Sequence, residues 1–215
     1  MKRKNLYTSL CFIGAFALWT ALVLNVDVCA VGPNGSAVGF ATLNSFVHGL
    51  TGVNFALYNV TDWLGIVPIG IMLGFAVLGL AQWIKRKRLA LVDGSILALG
   101  GFYVAVAVVY VLFEIFAVNY RPVLINGYLE ASYPSSTTVL AMCVMPTAAM
   151  QIKKRVKNKT VCGFVCVAMT LFTVFMVTGR LISGVHWFTD IVGGALLSAG
   201  LIMAYRFVCG LDFKR

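Results

Sequence analysis

The chain has 215 residues, 60% of them hydrophobic and 11% charged, with a net charge of +10 and a mean hydropathy of +0.93. A soluble domain is usually about 45–50% apolar and ~25% charged, so this composition excludes an ordinary water-soluble fold. The basic residues sit in short clusters between long apolar runs, which is the pattern of membrane topology and not of a nucleic-acid-binding face.

A spanning helix needs about 20 mostly apolar residues, and six runs meet that need, predicting an all-α polytopic membrane protein built as one domain over residues 1–215. The first run, about 6–26, follows MKRKN; it is longer than a signal-peptide core and no A-x-A site follows, so it reads as an uncleaved anchor. Residues 27–62 are too polar to span and too apolar for a free loop. Phe40, Leu43, Val47 and Leu50 recur there at helical spacing, which suits a stretch lying in the interface, either flanking a lipid access gate or capping the bundle. The second run, about 63–84, opens on Trp63 and carries Gly70 and Gly74, a spacing that permits close helix packing. The third runs about 92–118, the fourth about 135–152, the fifth about 160–179 and the sixth about 190–209. Of six cysteines, no pair has zinc-ligand spacing with a histidine nearby.

Orientation follows from lysine and arginine. Lys2–Lys4, Lys85–Arg88, the group Lys153, Lys154, Arg155, Lys157 and Lys159, and the group Arg206, Lys214 and Arg215 all fall on one side of an even-numbered bundle. That side should be cytoplasmic, with both termini inside. The two remaining basic residues, Arg121 and Arg180, fall at the outer ends of spans. Pairing with Glu114, Glu130 or Asp190 is one reason for a cation there, and binding an anion is another.

Three outer clusters carry potential chemistry: Arg121-Pro122, Pro134-Ser135-Ser136-Thr137, and Gly179-Arg180 with Ser183-Gly184, His186 and Asp190. On a helix His186 and Asp190 share a face, so the carboxylate can accept from one imidazole nitrogen and leave the other free to attack. A capping Asp190 beside an interfacial histidine is the plainer alternative. Ser183-Gly184 supplies a break between Arg180 and His186. Pro134 before Ser135, Ser136 and Thr137 marks a helix N-terminus, whose free N–H groups and dipole suit phosphate. Two arginines, such an N-terminus and an oriented histidine are the parts that phosphoryl transfer requires.

With these residues in view, the chain resembles the type 2 phosphatidic acid phosphatase superfamily, whose pattern is K-x6-R-P, then P-S-G-H, then S-R-x5-H-x3-D. Arg121-Pro122 matches the end of the first motif, Pro134-Ser135 the start of the second, and Arg180, His186 and Asp190 the third at full spacing. The resemblance implies a multi-pass cell-membrane enzyme with its site on the extracytoplasmic side. It implies His186 as a nucleophile forming a phosphohistidine, Asp190 as its orienting partner, and Arg121, Arg180, Ser135, Ser136 and Thr137 around the phosphate. It calls for no metal and no cofactor.

Two departures from the family pattern matter. The first-motif lysine falls at Glu114, reversing the charge, and the second-motif histidine falls at Thr137, which is no general acid near neutral pH. Glu114 is then either a substitute acid or an ion-pair partner of Arg121 or Arg180. Loss of a general acid, worth about 10²–10⁴-fold, matters least when the leaving group is itself a phosphate, so the sequence favours a prenyl diphosphate such as undecaprenyl diphosphate among lipid phosphates and diphosphates. The alternatives are a phosphate transferase on the same scaffold and a non-catalytic protein that binds or transports lipid phosphates. His48, the only other histidine, lies in the interfacial segment.

Overall fold

The computed structural model describes residues 2–210, so Lys214 and Arg215 of the basic C-terminal cluster lie outside the described residues. Among these residues the fold is all-α, with eight helices: α1 (Lys2–Asn25), α2 (Ala41–Thr51), α3 (Phe55–Leu64), α4 (Ile66–Arg86), α5 (Gly94–Ile115), α6 (Ser136–Arg155), α7 (Lys159–Ile182) and α8 (Phe188–Cys209). Five stretches are long and apolar enough to cross a membrane: Arg3–Asn25, Phe55–Arg86, Gly94–Ile115, Lys159–Ile182 and Phe188–Cys209. The second of these begins well before Trp63, because α3 and α4 run on with only Gly65 between them.

The fourth expected span, α6, is long enough but not apolar enough to be counted with these five. Its position explains the composition. Thr137, Thr138, Thr147 and Gln151 are buried, and α4, α5, α7 and α8 all pack on it. A helix walled by other helices faces little lipid, so it carries hydroxyls and an amide that find partners inside the protein. Thr147 donates to Cys143 O at 2.7 Å, and Gln151 donates to Ser95 O at 3.1 Å.

Helix α1 lies along α8. Ser9 donates to Gly200 O at 2.8 Å, and a side chain at Gly200 would collide with Ile13. Small residues on α8 thus set the close approaches; Gly193 likewise lies against the ring of Tyr133. Gly70 and Gly74, expected from spacing to bring helices together, do not: both are exposed, and a side chain at either would meet no atom within 4 Å.

The segment 27–62 folds onto the end of the bundle where α7 gives way to α8. Trp19 stacks on Phe40 with ring centroids 5.2 Å apart, and the buried Asn44 of α2 donates to Thr189 Oγ1 at 2.9 Å. Helix α3 packs on α7. Leu43 and Leu50 stay exposed, so the segment caps the bundle with one face and leaves the other apolar.

Candidate active site

The link between α5 and α6 is a short hairpin. Asn126 and Gly127, with φ of 49° and 83°, form its turn, the dipeptide that two-residue hairpin turns favour. Ile125 and Tyr128 exchange backbone hydrogen bonds across it. Further along, Arg121 N donates to Glu130 O at 3.0 Å and Ser132 N to Asn119 O at 2.9 Å. This pairing brings Arg121 and Ser132, eleven positions apart in the chain, to the same imidazole.

That imidazole sits in the turn between α7 and α8. Gly184 has φ 65°, and a Cβ there would lie 1.7 Å from Gly52 O, so only glycine lets α7 stop and the chain reverse against the α2–α3 link. Asn54 N donates to Ser183 O at 3.0 Å, and His48 donates from Nε2 to Gly184 O at 3.1 Å. His48 props this turn and is not on the wall of the cavity that His186 lines.

His186 is buried. Its Nδ1 lies 3.2 Å from Ser132 O and 3.1 Å from Ser132 Oγ. A carbonyl only accepts, so Nδ1 carries the proton and Nε2 carries the lone pair. Nε2 receives a hydrogen bond from Arg121 Nη1 at 3.3 Å. The unprotonated ring nitrogen and the Arg121 guanidinium thus point at one another.

Asp190 acts on the ring differently from the sequence expectation. Its Oδ2 is 3.7 Å from His186 Nδ1, too long for a hydrogen bond. His186 precedes α8 instead of lying in it, so the helical i,i+4 geometry does not apply. The carboxylate accepts from Ser132 Oγ, from Trp187 N at 2.9 Å and from Asn119 Nδ2 at 3.4 Å. Ser132 therefore bridges carboxylate and imidazole, donating to one and accepting from the other. Asp190 is also a first-turn acidic residue of α8, so capping and orienting are done by one side chain.

Arg180 is almost fully buried at the end of α7. Its Nη2 donates to Asp62 Oδ1 at 2.7 Å and to Thr137 Oγ1 at 2.6 Å, while Nε has no acceptor among the described residues. The Tyr58 ring lies under both guanidinium groups, 4.8 Å from Arg180 and 5.9 Å from Arg121, a cation–π bracket that holds two like charges near each other. Arg121 pairs with Glu130 at 3.0 Å. Glu114 therefore serves neither arginine, correcting its expected role as their ion-pair partner; it lies at the cavity wall with no ion pair among the described residues.

The second cluster splits. Ser136 begins α6 and lies on the cavity wall beside Thr137, whose hydroxyl is committed to Arg180. Ser135 is fully buried behind them, its N donating to Asp190 O at 3.1 Å, and it is not on the wall. Arg180 also stands one layer back, held by Asp62 and Thr137, which are on it.

The cavity itself has a volume of about 810 Å³. One end is polar, with Arg121, Glu130, Ser132, Ser136, Thr137 and His186; its body is apolar, walled by α4, α5 and the start of α6. A headgroup-and-tail molecule matches that division.

The family model for the PAP2 superfamily matches residues 102–209, a stretch from within α5 to the end of α8. The chain belongs to the PAP2 superfamily. Among solved structures it is similar to a crystal structure of a transmembrane PAP2-type phosphatidylglycerolphosphate phosphatase from Bacillus subtilis, with a TM-score of 0.56 and 22% identity over 97% of this chain and 98% of that one. No curated protein matches the chain. This PAP2 protein is a multi-pass membrane phosphatase. The PAP2 match spans Arg121, Ser132, Arg180, His186 and Asp190, but not Tyr58 or Asp62 of α3, which complete the arginine site from outside it.

Burial, and then the charges of Arg121 and Arg180, hold the His186 imidazole well below its ordinary 6.5. A lowered value means the ring binds its proton only in more acid solution, so it is neutral where a free imidazole is half protonated. The acidic limb of kcat/KM should consequently fall well below pH 6.5; a His186 imidazole that titrates at or above 6.5 by NMR contradicts this. Ser132→Ala should lower kcat about 10²-fold, the cost of a misplaced reacting group, with little change in KM, and Ser132→Thr should recover most of it. An alanine variant with wild-type kcat would remove Ser132 from this role.

Proposed function

We propose that this protein removes phosphate from a lipid-linked phosphate or diphosphate at the outer face of the membrane, through a phosphohistidine on Nε2 of His186. The observation that carries the reading is the meeting of Arg121 Nη1 and His186 Nε2 at the polar end of an apolar cavity. In the absence of an anion the guanidinium donates to the ring. A phosphoryl group entering between them would take that hydrogen bond for its own oxygens and expose the nitrogen lone pair to phosphorus.

In the first step the Nε2–P bond forms, the bond from phosphorus to the leaving oxygen breaks, and the leaving group departs with the electron pair. Water then attacks phosphorus and the Nε2–P bond breaks, releasing phosphate and restoring the imidazole. Ser132 and Asp190 keep Nδ1 protonated and the ring fixed through both steps. Arg121 neutralises the developing charge directly, and Arg180 supports it from behind Thr137.

Thr137 holds an arginine and offers no proton for the leaving group. That favours a prenyl diphosphate, such as undecaprenyl diphosphate, whose leaving group is a phosphate monoester with a second pKa of about 6. The topology belongs to the same proposal. With α6 crossing among the five apolar spans, six helices put both termini and the clusters at Lys85–Arg88 and Lys153–Arg155 on the cytoplasmic side. Arg121 and Arg180 are then left outside.

The test is phosphate release from undecaprenyl diphosphate by the purified protein in detergent. Release should be abolished by His186→Ala and should exceed release from phosphatidic acid. Equal release by His186→Ala overturns the nucleophile, and equal or faster hydrolysis of phosphatidic acid overturns the preference for a diphosphate. Lipid binding without any release leaves a binding or transport protein, and release that appears only with an added acceptor leaves a transferase.

A further inference from the structure

The cavity at His186 does not end at its apolar body. A second cavity of about 530 Å³ lies along the same two helices, α4 and α5, with an almost wholly apolar wall. Met72 and Ala107 line both, so the two adjoin. On α5 the combined wall runs from Ile96 to Glu114, about 27 Å at 1.5 Å per residue. That nearly equals the ~30 Å hydrocarbon core of a bilayer, whereas a chain confined to one leaflet reaches only about half as far, ~15 Å.

The lining of the far end of this groove carries no charged residue. Arg86 and Arg155 both pair with Asp93, at 3.2 and 3.3 Å. Arg86 and Arg155 also donate to Leu91 O and to Gln151 respectively. A guanidinium lines the groove only at the His186 end, and what lies beyond is apolar. Such a groove fits one molecule with a single headgroup and a tail that continues past the midplane.

We infer that the α4–α5 groove is the binding site for the substrate's hydrocarbon tail along its whole length, and that it selects a chain longer than one leaflet, a polyisoprenoid. This rests on the phosphatase reading above. The groove is continuous with the reaction site, so a tail seated in it fixes the phosphorus against His186, and distance from the headgroup becomes a basis for discrimination. A tail that stops at the midplane leaves the lower half, around Leu97, Gly100 and Val104, unfilled by substrate.

Gly100 offers a direct probe, because a side chain added there meets no protein atom within 4 Å and enters the groove instead. Ala76, on the opposite wall, gives a second variant. The measurement is the ratio of kcat/KM for undecaprenyl diphosphate to that for farnesyl diphosphate, in the wild-type protein and in Gly100→Leu and Ala76→Leu. Each substitution should shift the ratio toward the short chain by at least about tenfold, the lower end of what a misfit in an apolar pocket costs. A ratio unchanged in both variants overturns the tail site while leaving the phosphatase reading intact. Absence of hydrolysis of either diphosphate by the wild-type protein overturns both.

Discussion

One buried carboxylate holds together the end of this bundle that carries His186. Asp190 accepts from Ser132 of the hairpin, from Trp187 at the start of its own helix, and from Asn119 at the base of the hairpin, while its backbone oxygen takes Ser135 N at the head of α6. Three chain segments are thereby fixed against one side chain that is fully out of solvent, and a fourth against its backbone. Each buried donor left without this acceptor would cost about 1–3 kcal/mol. The position of the His186 ring is a consequence of this arrangement, since Ser132 is held by Asp190 and the ring is held by Ser132.

The second constraint is electrostatic. Arg121 and Arg180 are both buried, and each is matched to a more exposed acid, Glu130 and Asp62. Buried guanidinium groups need compensation, and here it comes from carboxylates on the cavity wall together with the face of Tyr58. The apolar body of the cavity gives no comparable support to a charge, so an anion is confined to the end where the imidazole lies.

Much of this was legible in the sequence. Apolar runs separated by basic clusters fix the long helices to within a few residues, and the spacing of Arg180, His186 and Asp190 marks the reactive turn. What the sequence did not yield has a physical pattern. Ser132 carries no motif; it matters because the Asn126-Gly127 turn folds residue 132 back toward residue 119, and that dipeptide was the one local signal for it. Asp62 and Tyr58 come from a helix joined to the site only by tertiary packing. Glu114 was tied to the arginines by charge alone, whereas backbone pairing already delivers Glu130 to Arg121. Helix α6 was counted as one apolar run among six, although its burial lets it carry polar residues.

In the proposed reaction the His186 ring and the arginines serve one tetrahedral anion. A structure of the protein with orthovanadate, a mimic of phosphate under attack, tests this most directly. Vanadium should be found bonded to His186 Nε2, with Arg121 moved from the ring nitrogen onto the vanadate oxygens and Arg180 held behind them by Thr137. Vanadate seated elsewhere, or at His186 with neither guanidinium within hydrogen-bond distance, contradicts it.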